Sequence, residues 1–146
     1  MLFREAGRDD DPLVSGVLLD AGLARELSGH AAEAEPLFRR ALELRQAKLQ
    51  SDHPAVIAAE VRVGEALTDS GRAVEAEPML AHAAAVAHNP PVRLLAWQVA
   101  EAEQALGACL TALGGSHEGS ALLDRSRQGL KSHPRAAIRD RDYSYK

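Results

Sequence analysis

The chain has 146 residues, room for one domain or one short repeat array. Alanine fills 28 positions and leucine 20, whereas isoleucine and threonine occur twice each and aromatics make up 3%, which leaves little to pack a pleated sheet. A net charge of -4 without a long run of either sign argues against nucleic acid as a partner, and 46% apolar content marks a globular rather than a disordered chain.

Along the chain, MLFREAGRDDDP lacks a basic start followed by an apolar core, so no signal peptide is expected. Leu2 to Ala6 (LFREA) aligns with LFRRA at Leu37 to Ala41, so residues 1–10 read as the end of a helix from a preceding unit. A first helix is predicted between Pro12 and Gly29, where Val14, Val17, Leu18, Ala21, Ala24 and Leu27 recur at helical spacing. A second follows with Ala34, Leu37, Phe38, Ala41, Leu42 and Leu49. Pro36 falls inside it, where proline removes a hydrogen bond. Its place within about two turns of the helix start makes it tolerable, with at most a slight bend.

The pattern then returns. Residues 29–42 read GHAAEAEPLFRRAL and residues 71–84 read GRAVEAEPMLAHAA, an offset of 42 that also relates Pro12 to Pro54 and Gly22 to Gly64. A weaker third copy fits Gly107 to Gly22 and Gly114 to Gly29 at an offset of 85. It carries Val92, Leu95, Val99, Ala102, Leu106, Cys109 and Leu113 on one stripe, then HEGSALLDRS at 117–126. Pro12, Pro54 and Pro91 suit first helical turns, and Gly29, Gly71 and Gly114 suit left-handed helix ends. The units therefore fall at about 11–52, 53–89 and 90–132, with a capping helix or tail at 134–146 that holds Tyr143 and Tyr145. The longest stretch without Asp, Glu, Lys or Arg, Pro78 to Val92, is 15 residues and too short for a bilayer, so no membrane partner is expected. A single cysteine cannot form an internal disulfide, which points to a reducing cytoplasm.

At these residues the sequence resembles the tetratricopeptide repeat, in the ~42-residue form of kinesin light chains and bacterial relatives. The matching positions are the small residues Gly22, Gly64 and Gly107, the closing glycines, and the sets Ala34/Phe38/Ala41, Ala76/Leu80/Ala83 and Gly119/Leu123/Ser126. Ser51-Asp52-His53-Pro54 matches the subfamily's D-H-P turn, with Asp11-Pro12, Asn89-Pro90 and His133-Pro134 as variants. The stretch at 97–114 also looks like the last repeat of arrays attached to bacterial kinases and signalling ATPases. The resemblance implies an all-α, right-handed superhelical solenoid of about three antiparallel hairpins. It also implies a non-catalytic protein-interaction module, part of a larger bacterial signalling protein, that takes a peptide or helical segment in a concave groove. The alternative is a structural module that forms a homo-oligomer through an exposed apolar repeat edge.

By the family pattern, the groove is lined by Leu19, Asp20, Leu23 and Glu26, then Val61, Arg62, Glu65 and Asp69, then Glu101, Gln104, Ala108 and Thr111. In peptide-binding kinesin light chain repeats paired asparagines hold the ligand backbone. Leu19-Asp20, Val61-Arg62 and Gln104-Ala105 stand in those places, and the Lys/Asn carboxylate clamp of chaperone-binding repeats has no counterpart. Asp20, Glu26, Glu65 and Asp69 make the groove partly acidic, which favours a basic or apolar segment, against the plain reading of a solvated helix face.

The remaining candidates read as structural. His82 and His88 are six apart, His53 and His133 belong to turns, and Cys109 sits on an apolar stripe, so neither metal nor nucleophile chemistry is expected. Glu33/Glu35 and Glu75/Glu77 lie in first helical turns, where negative charge meets the helix dipole. No phosphate-binding glycine motif occurs, and no cofactor is expected. Trp97 either anchors unit three against unit two or serves an exposed interface.

Overall fold

A computed structural model describes residues 12–88, 94 and 96–131. Among them are six helices and no strand: α1 (Pro12–Leu27), α2 (Ala31–Lys48), α3 (Pro54–Asp69), α4 (Ala73–Ala87), α5 (Ala96–Ala112) and α6 (Ser116–Lys131). Each helix packs on the next in sequence, and α3 also packs on α5 and more lightly on α1. This is a solenoid of helix hairpins, in which every unit buries its apolar face against a neighbour. The expectations for residues 1–10, Asp11, Asn89-Pro90, Pro91, Val92, Leu95 and the tail from His133, Tyr143 and Tyr145 included, lie outside the described residues.

The turns form for the reason glycine was expected there. Gly29, Gly71 and Gly114 have φ of 80°, 79° and 90°, a conformation that a side chain disfavours. The amide that follows each one reaches back over the helix end: His30 N–H to Arg25 at 2.8 Å, Arg72 N–H to Leu67 at 2.7 Å, and Gly115 N–H to Leu110 at 2.9 Å. α3 starts differently. His53 is extended at φ -64°, ψ 135°, and its Nδ1 accepts from the Ala55 N–H at 3.1 Å, so the imidazole caps the helix that Pro54 opens.

Pro36 and Pro78 lie inside α2 and α4 without ending them. The carbonyls four residues back, on Ala32 and Val74, belong to exposed residues, so water can take the place of the missing N–H. Glu33 and Glu75 stand in the first turns of the same helices and pair with Arg25 and Arg72, at 2.8 Å and 2.7 Å. Glu35 pairs with Arg39 at 2.6 Å.

The core runs through all three hairpins. Phe38, Leu67, Leu80, Val56, Val63 and Cys109 are its largest fully buried side chains, each leaving water to a gain of roughly 2 kcal/mol for the larger ones. Glycine and alanine let the helices approach. A Cβ at Gly22 would collide with the Phe38 ring, and one at Gly64 with the Leu80 side chain, so the small residue of one helix receives the large residue of its partner. At Gly107 the added atom would lie 3.0 Å from both the Gly119 carbonyl oxygen and Leu123.

Two expected stripes are only partly buried. On α1, Val17 and Leu27 are 53% and 56% exposed and Ala21 and Ala24 face solvent, because no described helix packs on that side. Leu113 lies beyond the end of α5, 39% exposed, and does not continue its stripe.

Candidate functional site: the clefts along the first helices

Helices α1, α3 and α5 are the first helices of their hairpins and stand side by side. Two adjoining clefts open along them. The first, about 230 Å³, is largely apolar: Leu19 and Leu23 from α1, Ile57, Ala58 and Val61 from α3, then Leu94 and Trp97. Asp20, Arg62, Gln98, Glu101 and Arg45 edge it. The second, about 210 Å³, is lined by Glu26, Glu65, Asp69, Thr68, Gln104, Ala105 and Ala108.

Of the twelve expected groove residues, the two clefts bring together all but Thr111. The Thr111 hydroxyl donates to the Gly107 carbonyl at 2.8 Å and lies against Gly119, at the crossing of α5 and α6. Trp97 is half-buried in the wall of the first cleft. Sequence spacing missed Arg45, which reaches in from a second helix. Its Nε donates to Ser15 at 3.0 Å and its Nη1 to the Ala55 carbonyl at 2.6 Å, joining α1, α2 and α3. Burial lowers its pKa from the ordinary value. Ile57 and Trp97 were detectable, since each lies four residues before an expected lining position.

The charges are unevenly matched. Arg62 Nη1 binds Glu65 at 2.8 Å and its Nη2 approaches Glu101 at 3.5 Å, so one guanidinium serves two carboxylates at the junction of the clefts. Among the described residues, Asp20, Glu26 and Asp69 have no cation of their own, and Glu26 Oε1 is buried without a hydrogen-bond partner. Burial, then the charge of Glu65, pushes the Glu26 carboxyl up to about 7, with Asp69 adding and Arg62 opposing. Burial also raises Glu65, against the pull of Arg62, and raises Asp69.

The other polar clusters lie between helices. Glu60 of α3 bonds His82 of α4 at 2.8 Å. Glu103 of α5 is shared by His88 at 2.7 Å and Arg125 of α6 at 2.9 Å. Each is a buried carboxylate satisfied by partners from the next helices. The Cys109 thiol donates to the Ala73 carbonyl at 3.2 Å, and burial raises its pKa, so it stays a protonated core thiol. Among the described residues, no group of three His, Cys, Asp or Glu is arranged to hold a metal ion. Among those residues, no helix is long and apolar enough to cross a membrane.

No family model matches the sequence, and no curated protein matches it. Solved structures do match. BtubC (BKLC) from P. vanneervenii superimposes with a TM-score of 0.75 at 18% identity, over 90% of this chain and 54% of that one. The chain thus spans about half the length of this neighbour, a kinesin light chain-like tetratricopeptide repeat protein, and shares with it a tetratricopeptide-like fold of stacked helix hairpins.

Proposed function

We propose that the chain is a non-catalytic protein-interaction module that binds a peptide or a helical segment across the concave face of α1, α3 and α5. The supporting observation is the pair of adjoining clefts, which gather side chains from three consecutive units into one surface. Such a face fits the groove-binding mode of helical solenoids, in which anchors of the ligand enter pockets between helices. The units at about 11–52, 53–89 and 90–132 form part of a larger bacterial signalling protein in the cytoplasm, and the module works without cofactor, metal, nucleic acid or membrane. A pull-down comparing the wild type with Arg62→Ala/Glu65→Ala tests the reading. Partners recovered equally by both, with both folded by circular dichroism, would sink it.

Self-association is the second reading, and the outer face of α1 favours it. Leu13, Val17 and Leu27 are 77%, 53% and 56% exposed there, an apolar edge that another copy would cover. Light scattering across the micromolar range decides it, and a concentration-independent monomer excludes it.

A further inference from the structure

We infer that the groove selects a basic ligand segment with two anchors: a large apolar side chain in the first cleft and a Lys or Arg side chain in the second, against Glu26 and Asp69. The inference rests on the groove reading above and adds the chemistry of the occupant. The first cleft offers Leu19, Leu23, Ile57, Val61 and Trp97, a pocket of aliphatic and indole surface with its two arginines already engaged. An acidic ligand would therefore have to displace Arg62 from Glu65 and Glu101, or Arg45 from Ser15 and Ala55.

The second cleft is the converse. It holds three carboxylates and one shared guanidinium at its edge. Glu26 places a buried oxygen there without a hydrogen-bond partner among the described residues, and a buried acceptor left unmet is costly. An ammonium or guanidinium supplies the missing donors and the missing charge together. The three carboxylates do not form a metal-holding group, so the cation that fits is an organic one at the end of a flexible stem. The raised pKa values of Glu26, Glu65 and Asp69 agree with this, since each reports negative charge held where solvent serves it poorly.

The spacing of the anchors follows from the helix that bears both clefts. Ile57 and Val61 line the first and Glu65 and Asp69 the second, eight residues further along α3, or about 12 Å at ~1.5 Å per residue. An extended segment covers that distance in about three to four residues at ~3.3 Å each. The expected ligand motif is a large apolar residue with Lys or Arg three or four positions away.

The experiment is selection of random dodecapeptides displayed on phage against the immobilised full chain, repeated on two kinds of variant. Glu26→Gln/Asp69→Asn removes the two carboxylates of the second cleft that pair with no cation among the described residues and leaves the Arg62 pairs in place. Ala58→Gln fills the apolar cleft, with Leu19→Gln as the substitute if its melting curve shows a folding defect. The expected result is enrichment of peptides carrying the apolar–basic spacing, with recovery falling at least tenfold on either variant. Peptides that lose binding on Ala58→Gln, yet lack Lys and Arg or bind Glu26→Gln/Asp69→Asn as well as the wild type, would overturn the basic anchor and leave the groove standing. Enrichment indifferent to Ala58→Gln and Leu19→Gln, or no enrichment on the wild type, would overturn the groove itself.

Discussion

Helices α1 and α3 hold equivalent places in consecutive repeats, 42 residues apart, and carry the same kind of apolar stripe. Val17 is 53% exposed where its counterpart Ala59 is fully buried. Ala21 and Ala24 face solvent where Val63 and Ala66 are fully buried. Composition cannot explain the difference, since the stripe of α3 is no more apolar than that of α1. What α3 has is a preceding hairpin: α2 packs on it, and nothing described packs on the same side of α1. In a solenoid the stability of a unit is largely the stability of its interfaces, so one pattern yields a core helix or a half-covered one according to its neighbours.

The most direct way to break that comparison is to place one charge at both equivalent positions. Ala59→Asp buries an unpaired carboxylate and should destabilise the protein by more than about 4 kcal/mol, enough to remove a cooperative thermal transition. Val17→Asp should stay within about 0.5 kcal/mol. Equal losses would mean that the outer face of α1 is covered in solution, and the contrast between the two helices would fall.

Next in size is the contact of α3 with its own partner. Leu80→Ala should cost about 3 kcal/mol, and Gly64→Ala about 2 kcal/mol because its Cβ collides with the Leu80 side chain. Combined, the two should cost clearly less than their sum, since truncating Leu80 makes room for the new methyl group. Strict additivity in urea melts would show that the two residues do not meet.

The helix ends offer a smaller contrast. Gly71→Ala forces a side chain into a backbone at φ 79° and should lose roughly 1–2 kcal/mol. Gly16→Ala, in α1, meets nothing within 4 Å and should gain about 0.5–1 kcal/mol from helix propensity. A Gly71→Ala variant as stable as the wild type would remove the turn from the account.

The smallest effect is confined to a pH window. Glu26 titrates at about 7 in the folded chain against an ordinary 4.5, so between those values the folded state binds more protons than the unfolded one. Stability from this group is therefore lost as pH rises from 4.5 through 7. Glu26→Gln should match the wild type near pH 4.5 and exceed it at pH 8 by on the order of 1 kcal/mol, once screening of a half-exposed group is allowed for. Urea midpoints at the two pH values measure it. A gain equal at both would place its origin outside the carboxylate cluster of Glu26, Glu65 and Asp69 with Arg62.

The hairpins could be read before any coordinates because their determinants are local. Pro12 and Pro54 open helices, Gly29, Gly71 and Gly114 close them, and Gly22 and Gly64 mark where Phe38 and Leu80 must fit. Clustering of the expected groove residues followed from the same register, since residues one turn apart share a helix face. Three things were not local. The exposure of Val17 depends on a neighbouring helix that periodicity does not encode. Arg45 crosses from a second helix into a cleft built of first helices, to partners 30 and 10 residues away. Glu60 and Glu103 are buried because His82 and His88 come to them from 22 and 15 residues further or earlier along the chain. Such long-range pairings of ordinary surface residue types leave no trace in a single sequence.

Trp97 has a consequence of an optical kind. It is the chain's one tryptophan, and it stands half-buried in the wall of the apolar cleft. Indole emission moves to shorter wavelength as water leaves the ring. The protein therefore carries its own fluorophore at the spot where an apolar side chain would enter, and a blue shift at constant helicity would register occupancy of that cleft without any added label.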